Sequence, residues 1–332
     1  MKALRVHELN SDDAWRLDEI DCPVPRAHEV RVVVEATALS FVDLLMARGA
    51  YQVSPPVPFI AGSEFCGVID ACGADVPGLL RPGVRVGGST FFGAWAGRIC
   101  VPFRSVHRTA DSVPVVEAAA LAAPFGTAHY ALALRARVQE GETVLVLGAA
   151  GSVGHAAVQV AKALGATVIA AASSASKREA ALQAGADQVV DSATPDWKAQ
   201  VRALARRGVV DVVIDPVGGV ATDTAFRTLG LGGRHLVIGF TSGEIPALRA
   251  NLALLKGASL VGVDLKQYGE REPDAAQANL ERVFEMHAQG LLKPLISQSL
   301  PLAAWRQAMV ALHDRSTVGR VVLCWPNGDG GT

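Results

Sequence analysis

Residues 143–165 read TVLVLGAAGSVGHAAVQVAKALG, and this stretch decides the fold. Its first five residues are β-branched or Leu, an unbroken apolar run of the kind that forms a strand buried on both faces of a parallel sheet. Three glycines follow at spacing three, Gly148, Gly151 and Gly154, separated by small residues. Beyond them the apolar pattern takes a helical period, with Val153, Ala157, Val160 and Leu164 on one stripe. Gly165 supplies a stop, and residues 167–171 (TVIAA) read as the next strand. Strand, glycine turn, helix and strand make one βαβ unit. A turn of small residues lets backbone N–H groups come close to a phosphate, and the start of the helix points partial positive charge at it. A glycine triplet alone is a weak pattern; the strand before it and the helix after it make this one a dinucleotide site. The expected contacts are Gly148, Gly151, Ser152, Val153 and Gly154.

The rest of the composition narrows the class. At 332 residues the chain has room for two cores, and with half its residues hydrophobic but only 5% aromatic those cores are built from Ala, Val and Leu. Net charge is −1, from 31 basic and 32 acidic residues with no block of one sign. That argues against nucleic acid or an anionic membrane as the main partner. The first ten residues, MKALRVHELN, lack the apolar centre of a signal peptide. Residues 115–134 are apolar, but Glu117, Pro124, Gly126 and His129 interrupt them, so a soluble, cytoplasmic protein is expected. The five cysteines (Cys22, Cys66, Cys72, Cys100, Cys324) are dispersed without a C-x-x-C pair, which suits reduced thiols. The tail 326–332 (PNGDGGT) reads as disordered.

Residues 1 to about 110 read as an all-β module. Its strands are expected at 3–7, 15–20, 30–38, 65–71, 85–86 and 98–101. One helix interrupts them, opened by the capping-box spacing of Ser40 and Asp43 and ended by Gly49. Around 115–137 the texture becomes helical. After the glycine turn, helices are expected near 177–184, 197–207 and 222–229, and strands at 188–190, 209–214, 234–238 and 258–263. Strands alternating with helices in this way make a doubly wound α/β domain of six strands. The last part, with helices at 274–289 and 303–313 and strands at 295–299 and 318–323, has mixed texture and could return to the first module.

With these residues in hand the chain resembles the medium-chain dehydrogenase/reductase superfamily, in its zinc-free quinone oxidoreductase (zeta-crystallin-like) branch. The resemblance is carried by DLLMARGAYQ at 43–52, PFIAGSEFCGVI at 58–69, the glycine stretch at 148–170, DPVGG at 215–219 and VIGFTSGEIP at 237–246. It implies a chaperonin-10-like β-rich catalytic domain at 1–122, a Rossmann domain at 123–264, and a C-terminal segment at 265–332 that completes the first. It also implies a cofactor in the cleft between them and homodimers formed through the Rossmann domain.

The resemblance places no metal. Where zinc enzymes of the superfamily carry ligands, this chain has Ser40, Ser63 and a position near Ala123, none of them a thiolate or imidazole. Glu64 reads as a structural acid of its turn. In NAD-preferring Rossmann domains an acid stands about twenty residues past the glycines. Here Ala171, Ala172, Ser173 and Ser174 stand there instead, followed by Lys177 and Arg178. Hydroxyls followed by cations would accept a 2′-phosphate, so NADPH is the expected cofactor; the resemblance assigns Lys177 that role, and Arg178 is added from its charge. Thr127, beside Gly126, and Gly239 with Phe240 match positions at the nicotinamide end. Tyr51 and Ser40 match positions near the substrate, Ser40 replacing the commoner Asn. Tyr51 reads equally as proton donor or as aromatic wall, Asp43 as a capping residue, and His129 and His155 as packed or surface histidines. The implied activity is zinc-independent hydride transfer from NADPH to a quinone or another α,β-unsaturated carbonyl compound. An enoyl-thioester reductase and a low-turnover NADPH-binding structural or sensor protein are the alternatives.

Overall fold

In the computed structural model, which describes residues 1–52, 54–313 and 317–326, the chain divides into two units. The first comprises Met1–Ala123, Leu280–Ala288 and the residues from Ile296 onward; the second comprises Pro124–Asn279 and Gln289–Leu295. Residues 265–279 and 289–295 therefore group with the second unit, whereas the sequence reading assigned all of 265–332 to the first. Tail residues 327–332, expected to be disordered, lie outside the described residues.

The first unit is built on β1 (Lys2–Val6), β2 (Trp15–Glu19), β3 (Glu29–Ala38), β4 (Phe59–Ile60), β5 (Glu64–Cys72), β6 (Arg85–Ser89), β7 (Arg98–Pro102) and β8 (Val106–Arg108). Strand β3 shows why: in EVRVVVEATA every second residue, Val30, Val32, Val34 and Ala36, is buried. Period-two burial is what a pleated strand with one face on a core requires. That core gathers Leu4, Met46, Phe65 and Trp95, all essentially inaccessible, with Trp15 tilted against Trp95 at 5.6 Å. Each such side chain stabilises the fold by roughly 1.5–3 kcal/mol over leaving it exposed. Strands β4 and β8 were not expected; two or three residues carry too little periodicity to be read.

The second unit holds the quoted stretch. Its strands are β9 (Thr143–Leu147), β10 (Thr167–Ala172), β11 (Gln188–Asp191), β12 (Val210–Asp215), β13 (Leu229–Val237) and β14 (Ser259–Gly262). They form one parallel sheet in the order β11-β10-β9-β12-β13-β14. All five residues of β9 are buried, as an interior strand covered on both faces must be. The chain runs outward from β9 through β10 to β11, then returns to β9's other side as β12. The order therefore reverses at β9 and β12, and in open α/β sheets ligands bind at such a reversal, outside the carboxyl ends of the strands.

Two features differ from expectation. Strand β13 starts at Leu229, five residues before the expected 234, because buried Leu229 pairs with Val210 ahead of a register shift. Its glycines, LGLGG, read as a turn when taken alone. The short helices Ala250–Lys256 and Leu265–Arg271 were not expected either; two turns show little helical period.

Strands β15 (Ile296–Pro301) and β16 (Arg320–Cys324) return to the first unit and extend its large sheet, in the order β15-β16-β3-β5-β6-β8 with β7 also paired to β3. Among the described residues, no helix is long and apolar enough to cross a membrane.

Candidate functional site

In the second unit, Gly148 closes β9 at φ +58°, a left-handed conformation that favours glycine. The Ala149 N–H donates to the Ala171 carbonyl and the Gly151 N–H to the Gly148 carbonyl, which folds the turn tightly. Helix Ser152–Ala163 starts from Gly151, and no side chain caps it. The N–H groups of its first turn, Ser152 and Val153 among them, have no acceptor within the helix and face a site suited to an anion. A Cβ at Gly154 would lie 2.2 Å from the Gly148 oxygen, so this third glycine lets the helix pack on the turn. A Cβ at Gly151 would meet only that same oxygen, at 3.3 Å. Among the described residues nothing else lies within 4 Å of that Cβ, and such a turn suits a pyrophosphate.

The next strand ends carry two loops that lean on each other. Asp215, the last residue of β12, is 2% exposed, and its carboxylate accepts four hydrogen bonds. Oδ1 takes the N–H groups of Val217 (2.9 Å) and Gly218 (2.8 Å). Oδ2 takes the Thr222 hydroxyl (2.6 Å) and His235 Nε2–H (3.0 Å). Burial raises the Asp215 pKa, but these donors, His235 first, outweigh it and hold the carboxyl below its ordinary value. The loop carrying Gly239 and Phe240 hangs from this one: Thr241 N–H donates to the Pro216 carbonyl, Ser242 N–H to that of Val217, and Gly219 N–H to that of Glu244.

At the end of β10, Ser173 is exposed, while Ser174 caps helix Ala175–Gln183 by accepting the Lys177 N–H. Lys177 stands in the first turn of that helix, half-buried. Arg178, expected beside it as a phosphate ligand, is engaged elsewhere. Its Nη1 lies 2.8 Å from the Asp191 carboxylate at the end of β11 and also donates to the Ala172 carbonyl.

Thr127 lies in helix Ala122–His129, just ahead of a π-helical turn, Tyr130–Arg135. Buried Asn279 spans its neighbours, its amide N–H donating to the Gly126 carbonyl (3.1 Å) and its Oδ1 facing His129 Nδ1 (2.7 Å). A carbonyl only accepts, so the Asn279 nitrogen faces Gly126 and His129 must carry its proton on Nδ1. His129 is thus a packed histidine, as expected. His155 is one too, bonded to Gln159 and the Lys293 carbonyl, with its pKa lowered by burial.

In the first unit, Ser40 caps helix Phe41–Ala47 in the expected box: its Oγ accepts the Val42 N–H, and Asp43 Oδ2 accepts the Ser40 N–H at 2.8 Å. The cap uses a lone pair of Ser40 and leaves its O–H able to donate. Asp43 is buried, and burial pushes its carboxyl up to about 7 against the lowering effect of the Ser40 N–H and the Ser63 hydroxyl. Next to it, fully buried Glu64 is paired with the Arg320 guanidinium and accepts the Ala123 N–H. At the positions that the resemblance matches to zinc ligands, this chain therefore has the hydroxyls of Ser40 and Ser63 and the backbone near Ala123. Among the described residues, no group of three or more His, Cys, Asp or Glu could hold a metal ion. Tyr51 lies just past Gly49 and packs, half-buried, against the first unit's core.

Sequence reasoning missed His235, Thr222 and Asn279. A histidine in an apolar strand reads as core, and only the strand-end placement of Asp215 beside the glycines hinted at a hub.

A family model described as "Alcohol dehydrogenase GroES-like domain" matches residues 26–131, and one described as "Zinc-binding dehydrogenase" matches residues 152–281. Quinone oxidoreductase-like protein 2 of Bos taurus is 36% identical over 308 residues, covering 92% of this chain and 88% of its own. The solved structure of a mycobacterial quinone oxidoreductase superposes with a TM-score of 0.88 at 30% identity, covering 98% of this chain and 99% of that one. The CurK enoyl reductase structure superposes with a TM-score of 0.88 at 27% identity, covering 98% and 99%.

Proposed function

The chain belongs to the medium-chain dehydrogenase/reductase superfamily, in its zinc-independent quinone-oxidoreductase-like branch, and from that premise we propose that it reduces quinones or other α,β-unsaturated carbonyl compounds with NADPH. It is an oxidoreductase with an NAD(P)-binding Rossmann domain. The choice of NADPH rests on one observation: β10 ends in Ala171 and Ala172, followed by Ser173 and Ser174, with Lys177 in the first turn of the next helix. The carboxylate at the end of neighbouring β11, Asp191, is neutralised by Arg178 and does not oppose a phosphate.

NADPH, when bound, supplies the hydride. The N–H groups of Ser152 and Val153 would hold the pyrophosphate, with Gly148, Gly151 and Gly154 leaving room for it. Ser173, Ser174 and Lys177 would take the 2′-phosphate, and Thr127, Gly239 and Phe240 the nicotinamide end. The hydroxyls of Tyr51 and Ser40 would donate to the substrate carbonyl oxygen as negative charge develops there. An enone leaves an enolate that leans on such donors, whereas the reduced quinone anion is aromatic and leans on them less. Tyr51→Phe should therefore lower enone turnover at least about tenfold more than quinone turnover, since one such donor is worth about a hundred- to a thousandfold. Equal losses confined to KM would make Tyr51 a wall of the substrate pocket.

NADPH oxidation at 340 nm against quinones, enones and enoyl thioesters tests the activity. Turnover of quinones or enones is the expected result. Turnover confined to enoyl thioesters would favour the function named for the CurK relative, and no turnover at all with tight NADPH binding would make this a binding protein. A homodimer is supported by the outer edge of β14, which pairs with no further strand among the described residues, and by exposed Leu231, Leu254, Leu255 and Leu260 around it. Sedimentation velocity at the mass of a monomer would refute that arrangement.

A further inference from the structure

We infer that Asp215, with Thr222 and His235 as its buried donors, is the positioning centre that sets the coenzyme wall of the second unit, an inference that rests on the NADPH reading above. The three side chains are 2%, 1% and 0% exposed, so none of them can touch a ligand directly. What they hold can. Asp215 ends β12, beside β9, at the point where the strand order reverses. Its Oδ1 fixes the Val217 and Gly218 N–H groups, while Oδ2 is held in place by Thr222 and His235.

From this anchor the geometry spreads in two directions. Towards the glycine turn, a Cβ at Gly148 would lie 3.0 Å from Val217 Cγ2, so Val217 is packed against the residue that opens the phosphate turn. Towards the nicotinamide end, a Cβ at Gly218 would lie 2.8 Å from Phe240 Cδ1, so the Phe240 ring rests on Gly218. Phe240 itself is 39% exposed and available to a ligand. Two loops that meet the coenzyme thus take their positions from one carboxylate. Gly218 and Gly219 adopt φ of +74° and +60°, so the loop has little stiffness of its own apart from these bonds. A misplacement of such a wall by about 1 Å is enough to cost a large factor in binding or rate.

Thr222→Val tests the inference because it keeps the side-chain volume and removes one donor to Oδ2. Thr222→Ser keeps the donor and loses a methyl group. Dissociation constants for NADPH are read by titrating the fluorescence of the reduced nicotinamide, and stability by urea unfolding. A lost hydrogen bond to a buried carboxylate should weaken NADPH binding about tenfold in Thr222→Val, and Thr222→Ser should stay within about twofold of wild type. Coenzyme affinity should follow the hydroxyl, whichever variant is the less stable. Affinity unchanged in Thr222→Val, or lost equally in both variants, overturns the inference. If Thr222→Val does not fold, Asp215→Asn, which keeps an acceptor for the Gly218 N–H but changes the face towards His235, must weaken NADPH binding for the inference to stand. A wild-type protein that binds neither NADPH nor NADH would instead overturn the coenzyme reading, and the inference with it.

Discussion

Two buried carboxylates, Glu64 in the first unit (beside buried Asp43) and Asp215 in the second, are satisfied in different ways. Glu64 is neutralised by a full charge, the Arg320 guanidinium from strand β16, with a single backbone donor from Ala123. Asp215 is held mainly by dipoles, two backbone N–H groups and a hydroxyl, with His235 as the fourth donor. An ion pair between residues 256 apart in the chain ties distant strands together and stabilises a fold. A carboxylate that gathers N–H groups two and three residues away shapes a loop. The first arrangement lies next to Ser63; the second stands at the strand ends where we propose that the coenzyme binds.

The largest effect should come from breaking the first of these. Arg320→Leu leaves Glu64 buried without its counter-charge, and losing one partner of a buried pair costs about 3–5 kcal/mol. Urea unfolding of the variant should show a loss of that size; a loss below about 1 kcal/mol would mean the pair behaves like an exposed one and that the comparison fails on this side.

Gly151→Val breaks the comparison from the other side. A Cβ at this position meets only the Gly148 oxygen, at 3.3 Å, among the described residues, so the fold should survive while coenzyme is excluded. NADPH affinity should fall by at least about a hundredfold, the loss of several N–H contacts to phosphate. Unchanged affinity with normal circular dichroism would place the phosphates elsewhere.

A smaller effect separates Asp43 from its neighbour Glu64. The folded Asp43 carboxyl keeps its proton up to about pH 7, whereas the unfolded one releases it near its ordinary value of 3.8. The folded state therefore binds more protons between these values, and its stability falls as pH rises through them, with the full deficit present above pH 7. Asp43→Asn removes the titration and keeps an acceptor for the Ser40 N–H. Relative to wild type, the variant's Tm should rise between pH 5 and pH 9, by a few degrees. A difference that stays constant with pH would show that Asp43 does not titrate in this range.

The same contrast explains what was legible in the amino-acid sequence. Residues 143–147 and the three glycines could be read because burial on both faces and close backbone approach each demand particular residue types at adjacent positions. The Ser40–Asp43 box could be read for the same reason, as a local motif with fixed spacing. Arg178 could not be placed, because its charge suited a phosphate equally well and its actual partner, Asp191, sits on a neighbouring strand. Glu64 was legible as a structural acid, but Arg320 was not legible as its partner, since nothing local marks a contact made across the whole chain. His235 was hidden by its strand: an isolated histidine among Leu and Val carries no sign of the carboxylate it faces.

We propose that Lys177 makes this enzyme choose the phosphorylated coenzyme, which is tested by comparing kcat/KM for NADPH and NADH in wild type and Lys177→Ala with one quinone substrate. A charge-assisted contact to phosphate is worth about 1.5–3 kcal/mol, so the variant should lose roughly ten- to hundredfold with NADPH while its NADH kinetics barely change. Equal losses with both coenzymes, or a wild type that prefers NADH, would contradict the account.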